Sequence, residues 1–347
     1  MKKSLFMMGV AIAALSSCTQ NEVLDIAESN TIQFGKSYIG KPTRANIISV
    51  ESELNSFYVL GYQYKESPEA MWTTAENVYY VLDTWKYNNI KKYDTNYSYF
   101  FAAYSNAGIN GEGSGNLETG ATATFSEPTG KEADKKTLSL TIDNYSAATN
   151  NDLLVAISES NLTADNQMVS FGFKHALSQV NFILKNPLGN NPIVINSFSV
   201  TGLIDNGKLT YIPEQVNTTI EQIKWEFPDD PSETYGTART ISGLDVTEAN
   251  ETQNATGTYT VIPQNQKALT VDITATLYKN GDTGAGEQQT LQAIIPANSI
   301  PDGAFKPGYI YNFNATLNMG YIYFDDITVE EWVPSTPDTE MTPEVQP

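Results

Sequence analysis

Apolar residues recur at every second position in two long windows of the chain. In the first, Leu269, Val271, Ile273, Ala275 and Leu277 alternate with Thr270, Asp272, Thr274 and Thr276. In the second, Tyr309, Tyr311, Phe313, Ala315 and Leu317 alternate with Ile310, Asn312, Asn314, Thr316 and Asn318. A period of two buries one face of a strand and wets the other, as in an antiparallel sheet packed on one side. Shorter runs rich in aromatic and β-branched residues read as further strands: Ser56 to Tyr64, Tyr97 to Tyr104, Leu138 to Ile142 and Leu153 to Ile157. Val169 to Phe173, followed by Leu177 to Leu184, reads as a strand pair, and Asp205-Asn206-Gly207 as a hairpin turn. The nearest approach to a helical stripe, Ala75 to Leu82, contains Val78, Tyr79 and Tyr80, which favour strand. The pattern predicts an all-β chain.

At 347 residues the chain exceeds a typical single domain. The polar stretch Thr163 to Gln167 places a boundary near Asp165, between two antiparallel β-sandwich domains over 45–165 and 166–333. Asn106 to Gly120 reads as a long glycine-rich loop within the first. Val333 to Pro347 holds four prolines and no alternation, so 334–347 reads as a disordered tail. At the other end, Lys2 and Lys3 introduce the apolar run Leu5 to Leu15, which is shorter than the roughly 20 residues a bilayer span needs. Residues 1–17 therefore read as an export signal. The run closes on Leu15-Ser16-Ser17-Cys18, similar to the lipobox of bacterial lipoproteins. That similarity implies a lipid on Cys18 and attachment to the outer membrane, each buried methylene adding roughly 0.8 kcal/mol of affinity. Thr19 to Asn30 then reads as a polar tether.

Charge and rare residues narrow the chemistry. Forty acidic residues against twenty basic give a net charge of −20, which repels phosphate backbones, so nucleic acid is a poor partner. Cys18 is the sole cysteine and His175 the sole histidine, which excludes an intrachain disulfide, a Cys/His zinc site and any Ser–His–Asp triad that does not use His175. On a strand beside Phe171, Phe173 and Leu177, His175 reads as a packed residue. The pairs Asp325-Asp326 and Glu330-Glu331 sit at adjacent strand positions that point to opposite faces, so neither converges on one atom. No catalytic residue, cofactor or metal is expected.

Three local patterns resemble the fimbrillin family of Bacteroidales, subunits of a lipoprotein-derived pilus. The first is Ile32-Gln33-Phe34, then Thr43-Arg44-Ala45, then Phe57-Tyr58-Val59. The second is Phe171-Gly172-Phe173-Lys174-His175-Ala176-Leu177-Ser178-Gln179-Val180. The third is Gly308-Tyr309-Ile310-Tyr311-Asn312-Phe313, followed by Ile327, Val329 and Trp332. The resemblance implies two tandem transthyretin-like sandwiches. It also implies a surface subunit cut by an arginine-specific protease between Arg44 and Ala45. Residues 18–44 would then leave as lipidated tether plus removable N-terminal strand, carrying Ile32, Phe34 and Tyr38 or Ile39, and a strand from another fimbrial subunit would take the vacated groove. Arg44 and Arg239 are the only arginines in the chain. Three buried side chains at roughly 1.5–3 kcal/mol each put the burial in that strand on the order of 5–9 kcal/mol.

A proline-rich tail is a poor donor strand, because proline cannot contribute to a ladder. This favours a tip or accessory subunit over a shaft component, with a host or bacterial receptor that the sequence does not name. The rival reading is a surface glycan-binding lipoprotein in which Trp72, Trp85, Trp225 and Trp332 serve as sugar-stacking platforms.

Overall fold

Ser98–Gly108 carries Tyr, Phe, Phe, Ala, Ala and Tyr in succession with no polar alternation, and every residue but the last is buried. A strand with that composition needs apolar partners on both faces, and it has them. The computed structural model describes residues 30–332 apart from 36, 40–53, 83, 109–113, 132–137, 159–161, 163–167, 189–190, 214–222, 228–237, 280–283, 285, 319 and 326. Within it, Ser98–Gly108 lies at the heart of an eight-stranded sheet, flanked by antiparallel Ser56–Tyr64 and Asn151–Ile157. Ala75 to Leu82 contributes the strand Glu76–Val81 to the same sheet.

The two faces of this central sheet have different covers. Phe100, Ala102, Tyr104, Leu153 and Val155 pack against Phe125, Leu140, Ile142, Tyr145, Leu209 and Tyr211. These belong to a four-stranded antiparallel sheet ordered Ile223–Glu226, Asn206–Tyr211, Leu140–Ser146, Thr122–Phe125. The opposite face, with Ile39, Phe57, Val59, Val78, Phe101, Ala103 and Leu154, packs against Ile32, Phe34, Tyr87, Tyr93, Val169 and Phe171. One face is covered by a sheet and the other largely by short segments.

A second body of two five-stranded sheets encloses a core of its own. One is built on Ser178–Lys185 and Tyr309–Asn318, which pair in parallel, and the other on Ile193–Ile204, Leu269–Leu277 and Glu287–Ile295. The alternations read from the sequence appear in the registers. Leu269, Val271, Ile273 and Ala275 are buried against Phe182, Phe198, Phe313 and Leu317, while their Thr and Asp neighbours face outward. Gly202 sits at an irregularity in Ile193–Ile204 with φ near 105°; a Cβ there would lie 2.6 Å from the Ala268 carbonyl oxygen, so only glycine fits.

Two local expectations are corrected. Val169 to Phe173 and Leu177 to Leu184 are not partners. The first region divides into Met168–Val169 and Gly172–His175, the latter pairing with Asn151–Ile157. The second pairs instead with Ala255–Val261 and Tyr309–Asn318. The fully buried Ala176 and Leu177 form the link by which the chain leaves one sheet for the other. Asp205-Asn206-Gly207 is likewise a crossing and not a hairpin: Ile193–Ile204 and Asn206–Tyr211 join different sheets, and Ala147 N–H donates to the Asp205 carbonyl at 2.8 Å. Strands on both sides of residue 165 therefore share the central and four-stranded sheets.

Buried phenols are expected to make this architecture lose stability in alkali. Burial raises Tyr259 to about 12 and pushes Tyr93, Tyr104 and Tyr145 above the ordinary phenol range, with the carboxylates of Glu118 and Asp152 adding to the effect at Tyr145. Unfolded phenols ionise near pH ~10. Groups raised in the fold contribute in full below that pH and lose their contribution as pH climbs through the folded value. The urea midpoint is expected to hold steady from neutrality to about pH 9 and to fall steeply between about pH 10 and 12, as urea titrations across that range would register.

Candidate functional site

The N-terminal segment enters the molecule through backbone contacts that no turn signal announces. Asn30 carbonyl accepts from Tyr93 N–H at 2.7 Å, and Ile32 N–H donates to the Lys91 carbonyl at 2.9 Å. The Tyr87 hydroxyl, itself buried, donates to the Ile32 carbonyl at 2.8 Å. Gln33–Phe34 then pairs in parallel with Met168–Val169, and Tyr38–Ile39 in parallel with Gly172–Phe173. Between the two, Ser170 Oγ donates to the Gly35 carbonyl at 2.9 Å and Phe171 N–H donates to Ser37 Oγ at 3.2 Å.

Side chains do most of the anchoring. Ile32 is 0% exposed, Phe34 3% and Ile39 7%. The Phe34 ring meets four others: it is edge-on to Tyr87 at 5.3 Å, to Phe57 at 6.1 Å and to Phe101 at 6.1 Å, and stacked on Phe171 at 6.2 Å. Each well-oriented aromatic pair adds about 0.5–1.5 kcal/mol beyond area burial. So a segment held by two two-residue ladders fills the centre of an apolar groove, and Tyr38–Ile39 forms the outermost strand beside Gly172–His175. Of the residues singled out in the sequence, Ile32 and Phe34 lie in this groove and Tyr38 contributes backbone pairing. Cys18, Arg44 and Ala45 lie outside the described residues.

Sequence reasoning missed Tyr87, Tyr93 and Lys91 as the clamp on the segment. They sit on the chain after Thr84–Lys86, and nothing in their spacing relates them to residue 32. It also missed Asp152, whose Oδ2 lies 2.9 Å from His175 Nδ1. The His175 ring stacks on Trp332 with centroids 4.2 Å apart and planes 10° apart.

The four tryptophans are partly buried, and each packs against neighbouring rings. Trp72 donates to the Asn89 carbonyl at 3.0 Å and lies against Tyr87 and Phe101, in space left by Gly61, where a Cβ would come 2.8 Å from the indole. Trp85 packs on Phe57 and Tyr80. Trp225 donates to the Ala176 carbonyl at 2.9 Å beside Tyr145. Of the acidic pairs, Glu330 accepts from the Asn312 amide at 3.0 Å and Asp325 lies 3.9 Å from Lys185, while Asp326 lies outside the described residues. Among the described residues no three His, Cys, Asp or Glu side chains converge as a metal site, and no helix is long and apolar enough to cross a membrane.

The all-β fold has counterparts among solved structures. A fimbrial protein from Bacteroides vulgatus ATCC 8482 superimposes with a TM-score of 0.51 at 15% identity, over 88% of this chain and 100% of that one. Candidate cell adhesion proteins from Bacteroides ovatus ATCC 8483 (TM-score 0.47, 13% identity, 88% of this chain and 98% of that one) and Bacteroides uniformis ATCC 8492 (0.46, 14%, 89% and 99%) are more distant in shape. A comparison with curated protein sequences finds no match. Residues 43–332 match the family model described as fimbrillin-like, and the chain belongs to that family. The match begins one residue before Arg44 and leaves the groove-filling segment 31–39 outside it.

Proposed function

We propose that this protein is a fimbrial subunit or adhesin, exported as a lipoprotein anchored in the outer membrane through Cys18. On this reading it is matured by a surface protease at Arg44–Ala45 and joined to other fimbrial subunits by exchange of the strand that carries Ile32, Phe34 and Tyr38. Its sheets are read as two tandem transthyretin-like sandwiches, with Gly172–His175 and the strands at 206–226 completing the first. The observation that carries the reading is the seat of residues 31–39. Three of their apolar side chains are buried, while their backbone is held by ladders of two residues each.

Cleavage after Arg44 would separate that segment and its anchor from the rest in a single event. The exposed groove would present Phe57, Phe101, Phe171 and Phe173 together with the bare edge of Gly172–His175, a surface that pairs with another strand or aggregates. N-terminal sequencing of the protein taken from cells is expected to find Ala45 on polymerised material and modified Cys18 on membrane-held precursor. Arg44→Ala is expected to stay membrane-held and monomeric; normal assembly of that variant would refute the maturation step.

The tail beyond Trp332 supports a tip or accessory position. Deleting Pro334 to Pro347 is expected to leave incorporation into filaments unchanged, and loss of polymerisation on that deletion would assign the chain to the shaft.

A further inference from the structure

The outward face of the sheet built on Ser178–Lys185 and Tyr309–Asn318 has a composition unlike the rest of the surface. Register places Asn318 beside Tyr321 and Thr316 beside Tyr323. The next rows set Asn314 beside Ile183, and Asn312 between Asn181 and Thr328. Thr256 and Thr258 extend those rows onto Ala255–Val261. Both tyrosines stand out from the sheet, 57% and 60% exposed, on the strand Tyr321–Phe324.

The amides along the face are already aligned. Gln179 Nε2 donates to Asn181 Oδ1 at 2.9 Å, Asn181 Nδ2 to Asn312 Oδ1 at 2.8 Å, and Asn312 Nδ2 to Glu330 Oε1 at 3.0 Å. A side-chain amide carries two donor hydrogens and two acceptor lone pairs, so each member of this relay keeps capacity for a ligand while its orientation is set by its neighbours. Tyrosine adds rigid amphipathic contact area at low cost in conformational entropy.

From this arrangement we infer that the face binds a neutral polysaccharide, with the pyranose faces stacked on Tyr321 and Tyr323 and the hydroxyls hydrogen-bonded by the amide rows. Charge selects the occupant. The chain carries a net charge of −20, whereas this face holds Lys185 beside Asp325 and, further along, Glu330, so it offers no cationic cluster to a polyanion. A protein partner would want an apolar centre, and among the described residues of these rows Ile183 and Ile310 are the only aliphatic side chains. Sugar hydroxyls, which both donate and accept, match amides and threonines that do the same. The inference is independent of strand exchange, since the face lies on the second body and involves neither the groove nor Arg44.

The test is affinity electrophoresis of the full chain in gels containing mannan, laminarin, galactan or, as the anionic control, heparin. Retention by at least one neutral polymer and not by heparin is expected. Tyr321→Ala/Tyr323→Ala should weaken that retention about ten-fold or more, the equivalent of about 1.4 kcal/mol, whereas Tyr321→Phe/Tyr323→Phe keeps the stacking surface and most of the affinity. Ile294→Ser, at a 65% exposed position on the other sheet, serves as a surface control expected to bind like the parent. Each variant is first shown to keep the parent's thermal unfolding midpoint, which the exposure of both tyrosines favours. Retention by heparin alone, no retention by any neutral polymer, or undiminished retention of the double alanine variant would overturn the inference.

Discussion

Phe34→Ala is expected to lower the unfolding free energy of the uncut chain by about 3–5 kcal/mol, the range for removing a large aromatic side chain from a packed core. Four aromatic rings surround Phe34, and none can collapse far into the space it leaves: Phe57 is held by Trp85 and Phe173, and Phe101 by the strand Ser98–Gly108. Urea unfolding followed by tryptophan fluorescence reads the effect, because Trp72 and Trp85 pack against the same cluster. A chain beginning at Ala45 lacks the whole segment. Its deficit should approach the on the order of 5–9 kcal/mol expected for the three buried side chains, and it should oligomerise at concentrations where the uncut chain does not. A synthetic peptide of residues 29–40 added to that chain is expected to reverse both effects, while the same peptide with Phe34→Ala reverses neither. If the Ala45 chain melts like the uncut one, the segment is an ornament of the groove and strand exchange through it fails.

The parts of this architecture visible in the sequence are those that a single strand encodes alone. Leu269 to Leu277 and Tyr309 to Leu317 alternate because each meets a core on one side only, and that asymmetry is written in every second residue. Ser98–Gly108 gives no alternation because both of its faces are covered, so its central position follows from composition. What the sequence conceals is partnership. The N-terminal segment pairs in parallel with strands about 135 residues away, and parallel ladders require no connecting turn that could reveal them. Asp205-Asn206-Gly207 misled for the converse reason: a turn-forming tripeptide serves equally where a strand passes from one sheet to another. Ile32 and Phe34 came to notice through the resemblance to the fimbrillins, whereas Tyr87 as their clamp did not, since a hydroxyl aimed at a backbone carbonyl leaves no pattern. The tryptophans drew attention by residue type, whereas the aromatic rings that stand out from the surface are those of Tyr321 and Tyr323, which the sequence pattern does not single out.

Asp152→Ala is expected to cost about 3 kcal/mol or more, because it strands the sole histidine in the interior. His175 is 7% exposed and Asp152 8%, and their contact at 2.9 Å joins the neighbouring strands Gly172–His175 and Asn151–Ile157. Neither His175 Nε2 nor Asp152 Oδ1 has a hydrogen-bond partner, so the two residues have each other and little else to compensate for lost water. On the far side, Trp332 stacks on the imidazole, and the Trp332 backbone N–H donates to the Gly308 carbonyl while Gly308 N–H donates to the Leu177 carbonyl, both at 2.8 Å. The pair thereby ties the central sheet to the last strand, Thr328–Glu331, of the second body. Asp152→Asn keeps an acceptor oxygen in place and is expected to lose about 1–2 kcal/mol. The double variant Asp152→Ala/His175→Ala should be less destabilised than the sum of the single variants, with a coupling on the order of 1–3 kcal/mol. Trp332→Ala should leave the central sheet's own melting unchanged while making the chain near Thr328 susceptible to limited proteolysis. Strictly additive single and double variants in urea titrations, or a chain near Thr328 equally resistant to protease without the indole, would show that the imidazole, the indole and the carboxylate merely share a neighbourhood.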